Sequence, residues 1–140
     1  MPIFRLATGP LGVAAAAIVA DLDAPATPAY AEVYDGTSGG MPATPATAIT
    51  TQTLLGTCTM SADPSATNSG GLITFNPIVE DASADVSGTA TFIRIRKGDA
   101  SSWADADVGD LASSATAKMN TVSIVAGGPI RINAFTVAIG

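Results

Sequence analysis

The residues most able to do chemistry sit in "WADADVGD", where Asp105, Asp107 and Asp110 crowd three carboxylates into six positions. Oxygen donors at alternate residues are how a calcium loop presents its ligands. The EF-hand version also needs a glycine at its sixth position and a distal glutamate, and neither is in register here, so a solvated turn is expected. A second group, Glu80, Asp81 and Asp85, has the residue types for the acid and base of a glycosidase. A sugar cleft also needs stacking rings, and beyond the phenylalanines only Trp103, Tyr30 and Tyr34 are available. Cys58 is the single cysteine, which excludes an intrachain disulfide and any CxxC cluster. In "LLGTCTM" it alternates with Thr57 and Thr59, the pattern of a small buried strand residue rather than a reactive thiol. The chain has no histidine, so it can build no Ser-His-Asp or Cys-His constellation and no His-containing zinc site. No GxxxxGK[ST] or GxGxxG pattern follows a strand. No catalytic residue, metal or cofactor is therefore expected, and the chain reads as a non-enzyme.

Composition narrows the partners. At 140 residues the chain is one domain with room for a core. Hydrophobic residues make up 47%, but much of this is alanine and aromatics are only 5%, so Val, Ile and Leu must fill the interior. Charged residues are 13%, below the usual quarter. The remaining surface, rich in Ser, Thr, Gly and Ala, is weakly defended against association with neighbours. Six basic residues against twelve acidic ones give a net charge of -6, which argues against nucleic acid as a partner.

What must position these residues begins with "LGVAAAAIVADLDA", Leu11 to Ala24. Arg5, the run from Leu11 to Ala20 and the "AYA" at 29–31 resemble the three parts of a secretory signal. Gly9 and Pro10 interrupt the approach, and Asp21 and Asp23 stand between the run and the cut, so retention is expected. A membrane span needs about 20 apolar residues and this run is too short, so no membrane partner is expected. Leu11, Ala14, Ala15, Ile18 and Leu22 recur at helical spacing, with Pro10 suited to the first turn and Pro25 beyond the end. A short amphipathic helix is predicted.

Beyond it, "AEVYDGTSGG" predicts a strand closing on Asp35-Gly36, "MPATPATAITTQ" an extended Pro/Ala/Thr loop, and "TTQTLLGTCTM" a β-prone run. "SADPSATNSGG" reads as loop and "LITFNPIV" as a strand broken at Pro77. "TATFIRIRKGD" is the clearest strand, "SSWADADVGDLASSATAKMN" a weak one with irregular backbone, and "TVSIVAGGPIRINAFTVAIG" two β runs about a Gly-Gly-Pro turn. Short strands between Gly/Pro/Asp turns, with one helix and no βαβ alternation, argue for an all-β sandwich over 29–140, preceded by an arm and helix over 1–28.

Two surfaces are candidate interfaces. In the clearest strand Thr91, Ile93 and Ile95 point one way, while Phe92, Arg94 and Arg96 point the other. Two of six basic residues beside a ring on an outward face suit a protein contact. In the arm "MPIFRLATGP", burying Ile3, Phe4 and Leu6 contributes about 1.5–3 kcal/mol each. Fixing ten backbone residues costs about 1–2 kcal/mol each, so the arm is expected to order only against a neighbour.

The succession "AEVYDGT", "TLLGTCTMS", "GLITFNPIVEDASADVSGTATFIRIRKGD" and "NTVSIVAGGPIRINAFTVAIG" resembles the capsid cement, or decoration, proteins of tailed bacteriophages. "SADVSGTATFIRI" with the later "SIVAGG" turn is the central signature, and "AAAAIVADLDA" is similar to the leading helix of that family. The resemblance runs from about Leu11 to the end and rests on structural motifs. It implies a jelly-roll-like β-sandwich that forms homodimers on the outside of an icosahedral shell and bridges major capsid proteins. The virion exterior, after synthesis in the host cytoplasm, would be its location. A tail or neck component is the nearest alternative, and a secreted adhesive or carbohydrate-binding module a more distant one.

Overall fold

The computed structural model describes residues 2–139, and of residues 65–68 the backbone alone. The first element is helix α1, Thr8–Leu22. Alanine-rich sequence favours it, and Pro10 falls in the first turn, where a missing N–H leaves no intrahelical bond unmade. Its buried residues are Ala15, Val19 and Leu22, spaced i, i+4, i+7. Val19 thus takes the inward place expected of Ile18, which is 38% exposed. Lys97 pairs with Asp21 at 3.1 Å near the end of the helix.

The strands follow as β1 (Tyr30–Asp35), β2 (Thr53–Thr59), β3 (Ser65–Ser69), β4 (Leu72–Phe75), β5 (Gly88–Thr89), β6 (Phe92–Arg96), β7 (Ser102–Asp110), β8 (Ala117–Met119), β9 (Ser123–Ile124) and β10 (Ile132–Ala138). Among the described residues, an eight-stranded sheet runs β2-β1-β6-β7-β8-β10-β4-β3, and β5 pairs with β9 apart from it. The β7–β8 pair is parallel, so the large sheet is mixed. Helix α1 packs on β3 and β4.

One apolar cluster collects side chains from both halves of this strand order: Val33, Leu55, Ile93 and Ile95 from one, Ile73, Met119 and Phe135 from the other. The rings of Phe75 and Phe135 stack with centroids 4.5 Å apart. A mostly β molecule with a single helix and a core shared in this way fits the all-β sandwich class.

Two expectations change. "SADPSATNSGG" is not loop: it holds β3, joined to β4 by Gly70 and Gly71 at φ +60° and +88°. Positive φ at both central residues is what a tight type I′ hairpin requires, and glycine meets it without strain. "WADADVGD" is not a turn but most of β7, which at nine residues is twice the usual short strand of this chain.

Candidate functional site

The face of β6 that carries Phe92, Arg94 and Arg96 is where the sequence expectation is most altered. Period-2 alternation does place these three opposite Ile93 and Ile95, but the face is not free. Phe92 is 1% exposed and Arg94 2%. Across the β1–β6 ladder Tyr34 stands opposite Phe92, with rings 5.2 Å apart and nearly parallel. Across the β6–β7 ladder Asp105 stands opposite Arg94. The guanidinium binds that carboxylate with both arms, Nε to Oδ1 at 2.8 Å and Nη2 to Oδ2 at 2.9 Å. Two of its three remaining N–H groups donate to the carbonyls of Thr47, at 2.7 Å, and Thr44, at 3.3 Å. Those carbonyls belong to the Pro/Ala/Thr loop, which closes over the face like a flap.

Phe92 and Arg94 are therefore internal, and the expectation that they form an intersubunit contact is corrected: the covering surface comes from the same chain. Arg96 is partly exposed and is taken up by Glu32, which also accepts from the Tyr34 hydroxyl at 2.7 Å. The hydrogen bonds that Arg94 donates to the Asp105 carboxylate hold its guanidinium above its ordinary pKa, and burial pushes the Tyr34 phenol up.

The carboxylate groups are likewise structural. Asp105 is held by Arg94, Asp107 accepts the Thr116 N–H at 2.9 Å, and Asp110 accepts the Ala112 N–H at 3.0 Å. Asp81 binds the Thr57 N–H with one oxygen and the Ser83 N–H with the other, each at 3.0 Å, and its backbone bridges Ile130. Glu80 pairs with Arg131 on the surface. Asp85 is exposed. Among the described residues no group of three or more His, Cys, Asp or Glu is placed to hold a metal ion. Cys58 is fully buried, and its S–H faces the Ile130 carbonyl at 3.6 Å. Burial pushes its thiol up to about 11, so the thiolate, the nucleophilic form, is scarce at neutral pH.

Ile3 is 79% exposed, Phe4 84% and Leu6 46%, and Arg5 makes no ion pair among the described residues.

One feature escaped sequence reasoning. Strand β8 is short, pairing with β7 only from Val108 onward and with β10 only as far as Phe135. Below it, among the described residues, no strand pairs with the edge of β7 over 102–107 or with the facing edge of β10 over 136–138. The result is a slot of about 340 Å³ lined by Ile18, Ile73, Trp103, Phe135, Val137 and Ile139, with Ala104, Asp105 and Thr116 at its border. The alternation of Ala and Asp in "WADAD" is the signal that marks this stretch as strand. No local signal reveals that its neighbour stops early.

No protein-family model, curated protein or solved structure matches the chain.

Proposed function

We propose that this chain is a virion structural protein, a capsid cement subunit that binds the outer capsid surface and bridges major capsid proteins. The sandwich enters the proposal as a jelly roll, and the subunit as a homodimer with no enzymatic activity. What supports the reading, beside the sequence resemblance, is above all the arm: a compact β molecule that projects Ile3 and Phe4 about four-fifths exposed. Apolar side chains held out together on a chain with few charges are a contact surface awaiting cover. In size and character the chain resembles the cement protein of Bordetella bacteriophage.

The mechanism is adhesion. Each subunit buries a modest area across a capsomer boundary, and many weak contacts on one shell act together because each bound subunit raises the effective concentration of the next contact. The buried Arg94–Asp105 pair and the flap over it serve the rigidity of the subunit rather than the contact. A tail or neck role uses the same sandwich, since a fold does not settle a function.

The deciding experiment separates DNA-filled heads from tails of the phage that encodes the chain and follows the protein by immunoblot. Sedimentation with heads, with release accompanied by loss of heat resistance of the shell, is the expected outcome. Recovery with tails alone transfers the chain to the tail or neck, and recovery with neither removes it from the virion.

A further inference from the structure

We propose that the Asp63–Pro64 peptide bond cleaves itself, hydrolysed through the Asp63 side chain while Ser61 and Asn76 stabilise the charge that develops on the Asp63 carbonyl oxygen. This goes beyond the capsid role and does not depend on it.

The bond lies in the connection between β2, which ends at Thr59, and β3, which begins at Ser65. Of the nine prolines in the chain, Pro64 is the one that follows an aspartate, and the pairing has a chemistry of its own. An aspartate carries its carboxylate where it can close a five-membered ring onto the main-chain carbonyl carbon of its own residue. Such an intramolecular attack proceeds at effective concentrations that no separate reagent reaches. The competing reaction, attack of the next residue's N–H on the side-chain carboxyl, is closed because proline has no N–H.

The surroundings supply what ring closure needs. The Asp63 carbonyl oxygen accepts two hydrogen bonds, from Ser61 Oγ at 2.7 Å and from Asn76 Nδ2 at 2.6 Å. Two short donors converging on one carbonyl oxygen are the arrangement that stabilises an oxyanion formed there. The Asn76 backbone N–H also donates to the Pro64 carbonyl at 2.7 Å, so one residue grips the carbonyl on each side of the bond. Asn76 directly follows the end of β4 at Phe75, which ties that grip to the large sheet. Pro64 is fully buried, which fixes the leaving side. Asp63 is exposed and makes no ion pair among the described residues, so solvent reaches the nucleophile.

In the first step a carboxylate oxygen of Asp63 forms a C–O bond to the Asp63 carbonyl carbon, and the electron pair of the C=O moves onto the oxygen held by Ser61 and Asn76. When that oxygen reforms its double bond, the C–N bond breaks. Its electrons go to the Pro64 nitrogen, which takes a proton from water and leaves as a secondary amine. Water then opens the cyclic anhydride, giving Asp63 a free α-carboxylate beside its side-chain carboxylate. One water is consumed overall, with no oxidant or cofactor. The two pieces stay together after the break, because β1 remains laddered to β6 and α1 remains packed on β3 and β4.

The test is incubation of the purified full chain in warm, near-neutral buffer, sampled over days and read by intact mass and N-terminal sequencing. Two fragments are expected, one ending at Asp63 and one beginning at Pro64, whose masses sum to that of the intact chain plus one water. Ser61→Ala should slow their appearance by about 10-fold or more. Asn76→Asp, which sets a negative charge against the developing oxyanion, should slow it by about 100-fold or more. Ser61→Thr keeps the hydroxyl and should cleave at close to the wild-type rate, and Asp63→Ala should not cleave. Circular dichroism checks that each variant is folded. Unfolding the wild type in urea keeps the Asp-Pro sequence but scatters both donors, so cleavage there should be slower than in the folded chain, a comparison that needs no variant.

A folded chain that stays intact overturns the proposal. Cleavage as fast in urea, or in folded Ser61→Ala and Asn76→Asp chains, overturns it by reducing the bond to a labile sequence. Cleavage of the Asp63→Ala chain overturns it by assigning the break to a protease. Attachment to heads is read separately and is touched by none of these outcomes.

Discussion

Arg94 and Asp105 form the one ion pair of this chain in which both partners are withdrawn from water, with side chains 2% and 6% exposed among the described residues. Bringing such charges out of water is costly, and the pair endures because four of the five guanidinium N–H groups have an acceptor: two carboxylate oxygens and two loop carbonyls. Removing one partner is worse than removing both, since it strands a buried charge. Arg94→Met should cost about 3–5 kcal/mol by urea denaturation, and should also free the flap that its Nη atoms anchor. Combining it with Asp105→Leu should recover much of that loss, because two apolar side chains of similar bulk leave nothing unpaired. A double variant no more stable than the single one would mean that the pair's worth lies in the flap contacts instead. The surface reading of this strand would have made an Arg94→Ser change near neutral; the burial of the side chain reverses that expectation.

At the scale of elements, the turn between β6 and β7 is packed against the segment that follows α1. A Cβ on Gly98 would lie 1.8 Å from the Thr27 carbonyl oxygen, which is backbone and cannot swing aside. Gly98→Ala is therefore expected to pull the turn off that segment and lower the melting temperature by several degrees, whereas Gly40→Ala, with open space around it but φ +66°, should suffer only backbone strain. Equal losses at both positions would show that packing at 98 contributes nothing. This contact joins residues 71 positions apart in sequence, which explains why part of the architecture was legible beforehand and part was not. β1, β2 and β6 were readable because β-branched and aromatic residues alternate between turn residues, and α1 because alanines lie between two prolines. β3 was hidden by its Ser, Thr and Asn composition, and β7 by aspartates whose usual place is a turn. What makes aspartate tolerable at 105 is an arginine on the neighbouring strand, a relation that local composition does not carry. The same holds for the candidate site. Alternation assigned Phe92, Arg94 and Arg96 to one face correctly, but the loop that takes up the Arg94 guanidinium comes from some fifty residues upstream. The exposed arm was readable because its balance of apolar burial against backbone order is local. The slot was not, because it arises from where β8 stops.

For the molecule as a whole, acidity and stability are coupled through carboxylates that tie distant parts together. Asp35 joins the end of β1 to Thr37 and to Thr89 of β5, Asp99 holds the β6–β7 turn through Ser101, and Asp107 links β7 to the approach to β8 through Thr116. Hydrogen bonds from the Thr37, Ser101 and Thr116 side chains, and then from backbone N–H groups, hold these three carboxyls below the ordinary aspartate range. A carboxyl with a depressed folded-state pKa binds its proton more readily in the unfolded chain. Its contribution is thus complete above the unfolded value, about 3.9, and is lost as pH falls through the folded one. The melting temperature should accordingly be level from about pH 7 to about pH 5 and decline below about pH 4. The isoelectric point lies near 4.1, so the net charge that keeps copies apart vanishes at the pH where the fold begins to loosen. Light scattering on heating should then be greatest near pH 4 and smaller on either side, while the melting temperature keeps falling toward pH 3. Replacing Asp35 by Asn should make the acid decline shallower, since one of the titrating ties is already gone. A melting temperature that stays level down to pH 3 would mean that these carboxylates hold nothing together, and that β5 and the β6–β7 turn are kept in place by apolar packing alone.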